Sequence, residues 1–189
     1  MSLTTLKYIT PRAQSDDTKE YKSYFKQIDI QTEQNNLLQL EPLLVDHVKD
    51  YDFFYIKDLT DDLMEWVLES QVTEGTITIQ SLHTTCVVAI NELDEPCLLG
   101  DINKHLSNSI PRTAKYLHNS SMRTKNLCES DTKCDRNADS HMKSFLFGQP
   151  SQSVIIHNGE PVLGEWQRLC FIDLDGPRKR KFAVSIVGI

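Results

Sequence analysis

Three histidines are the side chains whose type and placement point most directly to chemistry. His83 interrupts two strand-like segments, His118 lies in a long polar loop, and His141 lies on one face of a predicted helix. Each of them alone is compatible with an ordinary core or surface histidine. Together, three neutral imidazoles that leave one coordination position open form the arrangement of catalytic zinc, whose bound water has a pKa near ~7. The sequence therefore predicts a divalent-metal site, with zinc as the expected ion.

Acidic side chains near these histidines are candidate partners in the reaction. Asp135 and Asp139 precede His141 closely, and a carboxylate there can accept the second ring proton of a metal-bound histidine. Asp135 and Glu92 are candidate general acids or bases for a metal-activated water. Both aspartates are equally explained as helix N-terminal acids favoured by the helix dipole. The pair Asn91-Glu92 is equally explained as a cap of the following helix.

Composition and absent motifs exclude several functional classes. The 189 residues carry 20 Lys and Arg against 27 Asp and Glu, and this net charge of −7 disfavours a nucleic-acid binder, which needs clustered positive charge. The seven glycines form neither GxGxxG nor GxxxxGK, and GxSxG and HExxH are also missing. The five cysteines form no CxxC pair, which favours reduced thiols and a cytoplasmic protein. The sequence contains no run of about 18 apolar residues, so it predicts no membrane-spanning helix.

The apolar pattern predicts grouped strands and helices that would position these side chains. Strands are predicted at 24–32, 76–79, 86–90, 153–157, 168–174 and 181–189. Helices are predicted at 60–70, 93–109 and 135–147. The third helix is expected to bury the face formed by Ala138, His141, Met142, Phe145 and Leu146. Because strands and helices do not alternate regularly, we expect an α+β domain with a largely antiparallel sheet packed with helices.

Several segments fall outside this pattern. Residues 1–24 are polar and read as an N-terminal arm, which leaves 25–189 as a single domain. Residues 37–54 are irregular, contain Pro42 and read as an insertion. The long polar loop at 113–133 is of a kind that often carries function. Asn158-Gly159 predicts a tight hairpin turn.

The sequence closely resembles the YjbQ-like family, whose members are described as secondary thiamine-phosphate synthases. The resemblance covers residues 73–189, with weaker support at 28–32, and its motifs recur in the same order at matching spacing. These motifs are Gly75-Thr76, Ser81-Leu82-His83-Thr84-Thr85, Asn91-Glu92, Tyr116-Leu117-His118, Asp135–Lys143, Leu163-Gly164-Glu165-Trp166-Gln167 and Asp175-Gly176-Pro177-Arg178.

The resemblance implies a compact α+β fold, a homotrimer and a histidine-lined, metal-binding cavity. By position, His83, His118 and His141 match the family's metal-site histidines. Asp139 stands where many relatives carry a further histidine, and a carboxylate there can still bind zinc or orient a ligand. A cavity shared between protomers is expected, because a three-fold assembly brings identical loops together.

Further family positions are candidate ligand-binding residues for a small phosphorylated substrate. Arg178 is the first candidate, because its planar guanidinium suits phosphate oxygens. The basic run that begins at Arg178 is equally a solvated sheet edge. Thr84 and Thr85 are equally explained as ordinary strand formers, and Trp166 as a core or interface anchor. The remaining candidates are Lys143 and Gln167.

The activity that the resemblance implies is a weak condensation of hydroxymethylpyrimidine diphosphate with thiazole phosphate, in which the thiazole nitrogen displaces diphosphate. Arg178 or Lys143 would then stabilise the leaving group together with the metal. Three imidazoles, however, favour zinc over the magnesium that usually accompanies diphosphates. Two alternatives therefore stay open: a zinc-type hydrolase of a small ester or phosphate, and a non-catalytic trimeric metal-binding protein.

Overall fold

Two antiparallel sheets and three α-helices form the described part of the chain. The computed structural model describes residues 20–33, 54–123, 125 and 136–189. Asp135, most of the predicted arm and almost all of the predicted insertion lie outside these residues. The predicted α+β class is confirmed, although the strands divide between two sheets.

The strands agree closely with the segments that alternation predicts. Five strands form the first sheet, in the order β1-β8-β3-β5-β6, and three form the second, in the order β2-β7-β4. The strands are β1 (Lys22–Gln31), β2 (Tyr55–Asp58), β3 (Glu74–Ser81), β4 (Cys86–Asn91), β5 (Ser151–His157), β6 (Glu160–Pro161), β7 (Arg168–Asp173) and β8 (Lys179–Gly188).

The helices are α1 (Thr60–Ser70), α2 (Pro96–Ser109) and α3 (Ala138–Phe147), and a short 3-10 helix spans Leu117–Asn119. The cap of α2 is Glu95, whose carboxylate accepts the N–H groups of Cys97 and Leu98. Glu92 therefore does not cap this helix. No helix in the described ranges is long and apolar enough to cross a membrane.

The main core lies between the two sheets and α1. One face of β7 contributes Leu169 and Phe171 to this core. Phe171 packs at 5.5 Å, centroid to centroid, against Phe182 of β8, and Trp66 of α1 packs on the same Phe182 ring. The opposite face of the second sheet carries a smaller cluster against α2, in which Phe54 and Leu99 are buried.

The hairpin turn at Asn158-Gly159 is confirmed. Both residues have positive φ, 54° and 77°, and His157 pairs with Glu160 across the turn. Positive φ at both central residues is the geometry that asparagine and glycine tolerate best. The turn therefore follows directly from the local sequence.

The predicted inward face of α3 is wrong. Phe145 is 88% exposed, Leu146 is 58% exposed and Met142 is 39% exposed, while His141 is half-buried. Ala138 is buried as predicted, and the other buried positions are the polar residues Asp139, Ser140 and Lys143. These polar side chains have partners inside the protein, because Lys143 pairs with Asp139 Oδ2 and the Ser140 hydroxyl donates to the Leu174 carbonyl. Internal polar partners thus override the apolar periodicity of this helix.

Candidate functional site

A groove of 640 Å³ runs between the β3–β4 connection and α3. His83 and Thr84 line it from the connection, and His141 lines it from the helix. The ring of His118, in the short 3-10 helix, contacts that of His141 edge-on, with 5.1 Å between centroids and 70° between planes. Two of the three histidines singled out in the sequence therefore line one groove. His118 does not line it, but its ring contacts that of His141.

His83 is held as a neutral imidazole. Its Nε2 atom accepts the backbone N–H of Lys181 at 2.9 Å, which places the ring proton of the neutral form on Nδ1. Burial lowers the pKa of His83, and the positive charge of Arg180 lowers it further. In this arrangement His83 presents a hydrogen-bond donor, not a lone pair.

His118 is held in the opposite tautomer. The Asn137 amide donates through Nδ2 to Asp175 Oδ2 at 2.7 Å, so its oxygen faces His118 Nε2 at 3.3 Å. Because that oxygen only accepts, His118 Nε2 donates, and the lone pair lies on Nδ1. A histidine whose second nitrogen is fixed in this way is prepared to use the first as a ligand or a base.

A network of charged side chains, most of them buried, lies beside the histidines. Arg180 donates to both carboxylate oxygens of Asp173, through Nε at 2.8 Å and Nη2 at 2.7 Å. Burial alone raises the pKa of Asp173, but the hydrogen bonds from Arg180, the Asp175 backbone and Thr32 outweigh it and leave a lowered pKa. The pKa of Asp175, by contrast, is raised by burial. Arg178 Nη2 lies 3.1 Å from Asp175 Oδ2, and its side chain stays 39% exposed.

Cys86 also lines the groove, and it is a thiol rather than a thiolate. Its Sγ atom donates to Asp173 Oδ1 at 3.4 Å. Burial raises the pKa of this thiol, and the negative charge of Asp173 raises it further. Cys86 is therefore not poised as a nucleophile.

The phosphate candidates divide between two sides of α3. Thr84 is exposed and lines the groove, whereas Thr85 is buried beside it. Lys143 lies on the opposite side of α3, where it lines a second cavity and pairs with Asp139 at 3.1 Å. The second oxygen of Asp139, Oδ1, is buried without a hydrogen-bond partner in the described part of the chain.

The other predicted site residues do not line the groove. Trp166 is 61% exposed in the turn before β7, so it is not a core residue. Gln167 closes the same turn, because its side-chain oxygen accepts the Gly164 N–H at 2.8 Å. Glu92 follows β4, and its backbone N–H donates to Asn91 Oδ1 at 2.9 Å. Asp135 lies outside the described residues.

Sequence reasoning missed the residues that orient the histidines. Asn137 and Asp175 lie inside the motifs quoted above, so the motifs themselves were the available signal. Asp173 and Arg180 carry no such signal, because their pairing depends on how the β7–β8 connection folds back. Their role is visible only in three dimensions.

Within the predicted ligand set, His118 and His141 are the two rings in direct contact. Two imidazoles bound to one tetrahedral zinc at about 2.0 Å would hold their ring centroids about 5 Å apart, and the observed separation is 5.1 Å. Among the described residues, no three His, Cys, Asp or Glu side chains stand close enough together to hold one ion.

The sequence profile and the related sequences that match this chain carry the same family description. A sequence profile of the family described as "UPF0047 protein YjbQ-like" matches residues 48–189. A UPF0047 protein of Methanocaldococcus jannaschii is 37% identical over 131 residues, which cover 69% of this chain and 83% of the relative. One from Methanothermobacter thermautotrophicus is 39% identical over 132 residues, covering 69% and 81% respectively.

Solved structures resemble the fold over nearly all of their own length. A protein of unknown function from Sulfolobus solfataricus superposes with a TM-score of 0.69 at 24% identity, covering 90% of this chain and all of that one (100%). An uncharacterised conserved protein from Clostridium acetobutylicum gives a TM-score of 0.64 at 28% identity, covering 85% of this chain and 98% of its own.

Proposed function

The chain belongs to the YjbQ-like UPF0047 family, and from that premise we propose that it is a metal-dependent enzyme that acts on a small phosphorylated substrate in the groove between the β3–β4 connection and α3. The observation that carries the proposal is the His118–His141 pair, whose 5.1 Å ring separation matches two imidazoles on one zinc-like ion. The hydrogen bond between His118 and Asn137 supports it, because it leaves the Nδ1 lone pair available.

The residues in and beside the groove have distinct roles in this proposal. His118 and His141 would hold the ion, which when bound supplies a positive charge that polarises a phosphate or an adjacent water. His83, neutral with its proton on Nδ1, donates a hydrogen bond to a substrate oxygen. Arg178 is partly exposed and linked through Asp175 and Asn137 to His118, which makes it the cation that binds the phosphate.

The reaction that the family resemblance implies is the weak synthesis of thiamine phosphate, with displacement of diphosphate. The second candidate is hydrolysis of a small phosphate ester, and the position of Lys143 favours it. A departing diphosphate needs several cations, yet Lys143 pairs with Asp139 on the other side of α3. Arg178 alone suits a single phosphate group better than a diphosphate.

A homotrimer completes the proposal. The apolar residues of α3 that border the groove are exposed in the single chain, Phe145 at 88% and Leu146 at 58%. Exposed apolar side chains of this size usually mark a surface that another protein covers. A second copy seated there would close the groove and bring further side chains to the ion.

The first experiment is metal content per subunit by mass spectrometry on untagged protein. We expect about one zinc-like ion per subunit in wild type, and its loss in His118→Ala and His141→Ala. His105→Ala is the matched control, because His105 is an exposed histidine on α2. Wild-type protein without metal, or retention of metal in both variants, would refute the proposed site.

Activity assays then separate the reactions. Diphosphate released only when both thiamine precursors are present indicates the synthase. Phosphate released from a single ester, with a rate that rises as the bound water ionises, indicates the hydrolase. Metal binding with no turnover of either substrate, and loss of the trimer on chelation, would overturn the enzymatic proposal in favour of a structural metal.

A further inference from the structure

A second cavity, separate from the histidine groove, lies beneath α2. Its volume is 330 Å³, within the range of small-molecule pockets, about 300–1,000 Å³. Helix α3 separates the two spaces, since Lys143 and Phe147 line this cavity while His141 and Ser144 line the groove. The proposed reaction in the histidine groove does not use this cavity.

The wall of this cavity is mainly apolar. The second sheet and α2 supply side chains from opposite sides, and these include Ile56, Ala89, Ile172, Leu99, Ile102 and Leu106. Such a space is poorly hydrated, because water needs several polar partners to stay inside a protein. The lining residues Asn91 and Gln149 are exposed, so the cavity opens to solvent beside them.

Lys143 is the buried charged residue of the wall, and its hydrogen-bonding capacity is mostly unused. The side chain is 6% exposed, and in the described part of the chain its ammonium makes one hydrogen bond, to Asp139 Oδ2 at 3.1 Å. An ammonium carries three donors. Buried donors normally find acceptors, so the wall offers unfilled N–H groups within an otherwise apolar surface.

The charge of Asp139 decides which acceptor suits this site. Its carboxylate, 2% exposed, already neutralises Lys143. A ligand carboxylate would add a second buried negative charge to a neutral pair, which is unfavourable in an apolar surrounding. A neutral carbonyl oxygen accepts from Lys143 without adding charge.

We propose that the cavity beneath α2 binds a small, largely apolar molecule with one uncharged carbonyl group, which accepts a hydrogen bond from Lys143. The apolar body of the molecule contacts the second sheet and α2. This site is independent of the metal and of the reaction in the histidine groove.

The test is equilibrium binding of three probes of similar shape, followed by protein NMR. Acetophenone has the neutral carbonyl, ethylbenzene lacks an acceptor, and benzoate carries a negative charge. We expect acetophenone to bind saturably, about tenfold more tightly than ethylbenzene, as one added hydrogen bond to a charged donor predicts. Benzoate is expected to bind more weakly than acetophenone, and the amide signals of Ala89 and Ile102 are expected to shift.

Two variants keep the test decisive. Ala89→Leu fills part of the cavity and is expected to weaken acetophenone binding tenfold or more, whereas the matched Ala114→Leu, at an exposed loop position, leaves it unchanged. The double variant Lys143→Met/Asp139→Asn removes both charges without leaving either one unpaired. It is expected to bind acetophenone and ethylbenzene equally.

Each contrary result overturns a defined part of the proposal. Tighter binding of benzoate would mean that the site takes an anion. Equal binding of acetophenone and ethylbenzene to wild type would remove Lys143 from recognition. Absence of binding, or binding unaffected by Ala89→Leu, would refute the cavity as a ligand site. Metal content in Ala89→Leu should equal that of wild type, which keeps this result distinct from failure of the metal proposal.

Discussion

The two faces of the second sheet differ in how completely they are packed. On one face, Leu169 and Phe171 join a continuous core with α1 and the first sheet, in which Leu63 is fully buried. On the other face, α2 covers the sheet over a cavity of 330 Å³, and residues such as Leu106 are only partly buried. The same strands thus support a close-packed scaffold and a loosely packed layer, and the loose layer is where the fold has room for a ligand.

Matched leucine truncations test this contrast, and the larger effect is expected in the scaffold. Leu63→Ala in α1 should lower the free energy of unfolding by about 4 kcal/mol, because the site is enclosed and cannot collapse. Urea denaturation measures the change. Leu68→Ala, on the same helix but 71% exposed, is the control and should change it by less than about 0.5 kcal/mol. If Leu63→Ala lowered the free energy of unfolding by less than Leu106→Ala does, the contrast between the two faces of the sheet would be refuted.

The next largest loss of stability is expected at the buried ion pair of Asp173 and Arg180. Asp173→Asn removes the carboxylate that pairs with both Nε and Nη2 of the buried Arg180 and leaves only the more distant Asp175 Oδ2, at 3.8 Å, so it should cost about 3 kcal/mol at neutral pH. Because the pKa of Asp173 is lowered in the folded state, its contribution is present above the ordinary carboxyl value of about 3.9 and is lost as pH falls through the folded value.

Wild type should therefore lose more stability than Asp173→Asn between pH 5 and pH 2, roughly the window of carboxyl titration. Urea denaturation at a series of pH values gives the two slopes. Asp29→Asn is the control, because Asp29 pairs with Lys181 at the surface and is 76% exposed. Parallel slopes for wild type and Asp173→Asn would contradict the role assigned to this pair.

In the loose layer, one substitution is expected to stabilise. Asn103 of α2 is fully buried, and in the described part of the chain neither its Nδ2 nor its Oδ1 atom has a hydrogen-bond partner. Asn103→Leu should raise the free energy of unfolding by about 1 kcal/mol, since it removes an unsatisfied buried amide. Thermal denaturation measures the gain, with the exposed Asn108→Leu as control. A loss of stability would show that Asn103 has a polar partner in solution.

An effect of similar size, but a loss, is expected at the cavity wall itself. Leu106→Ala should cost about 1 kcal/mol, because the side chain is partly buried and already faces a space that is not filled. Urea denaturation with and without saturating acetophenone sharpens the contrast. Ligand should stabilise wild type more than Leu106→Ala, whereas Leu63→Ala should respond as wild type does.

Local sequence patterns predicted more of the fold than of the candidate site. The alternation in β3 to β5, the helix at α1 and the Asn158-Gly159 turn depend on neighbours in sequence, and the structure agrees with all of them. The pairing of β1 with β8 joins distant segments, which a single sequence does not encode locally.

The candidate site was predicted only in part, for the same reason. The motifs identified the histidines, and His83 and His141 do line one groove. Periodicity failed on most of α3, because it assumes that apolar residues face the chain's own core, whereas the charged pair of Asp139 and Lys143 is buried there. Lys143, a ligand-binding candidate through the family resemblance, lines the cavity on the other side of the helix.

The order of strands in the first sheet constrains how the chain is made. β8 lies between β1 and β3, and Lys22 of β1 pairs with Gly188 of β8. During synthesis β1 and β3 therefore emerge from the ribosome long before the strand that joins them. Until Gly188 has left the exit tunnel, each keeps a free edge that can pair with another chain. The yield of folded protein should therefore depend on translation speed and chaperone binding, and not only on the stability of the finished fold.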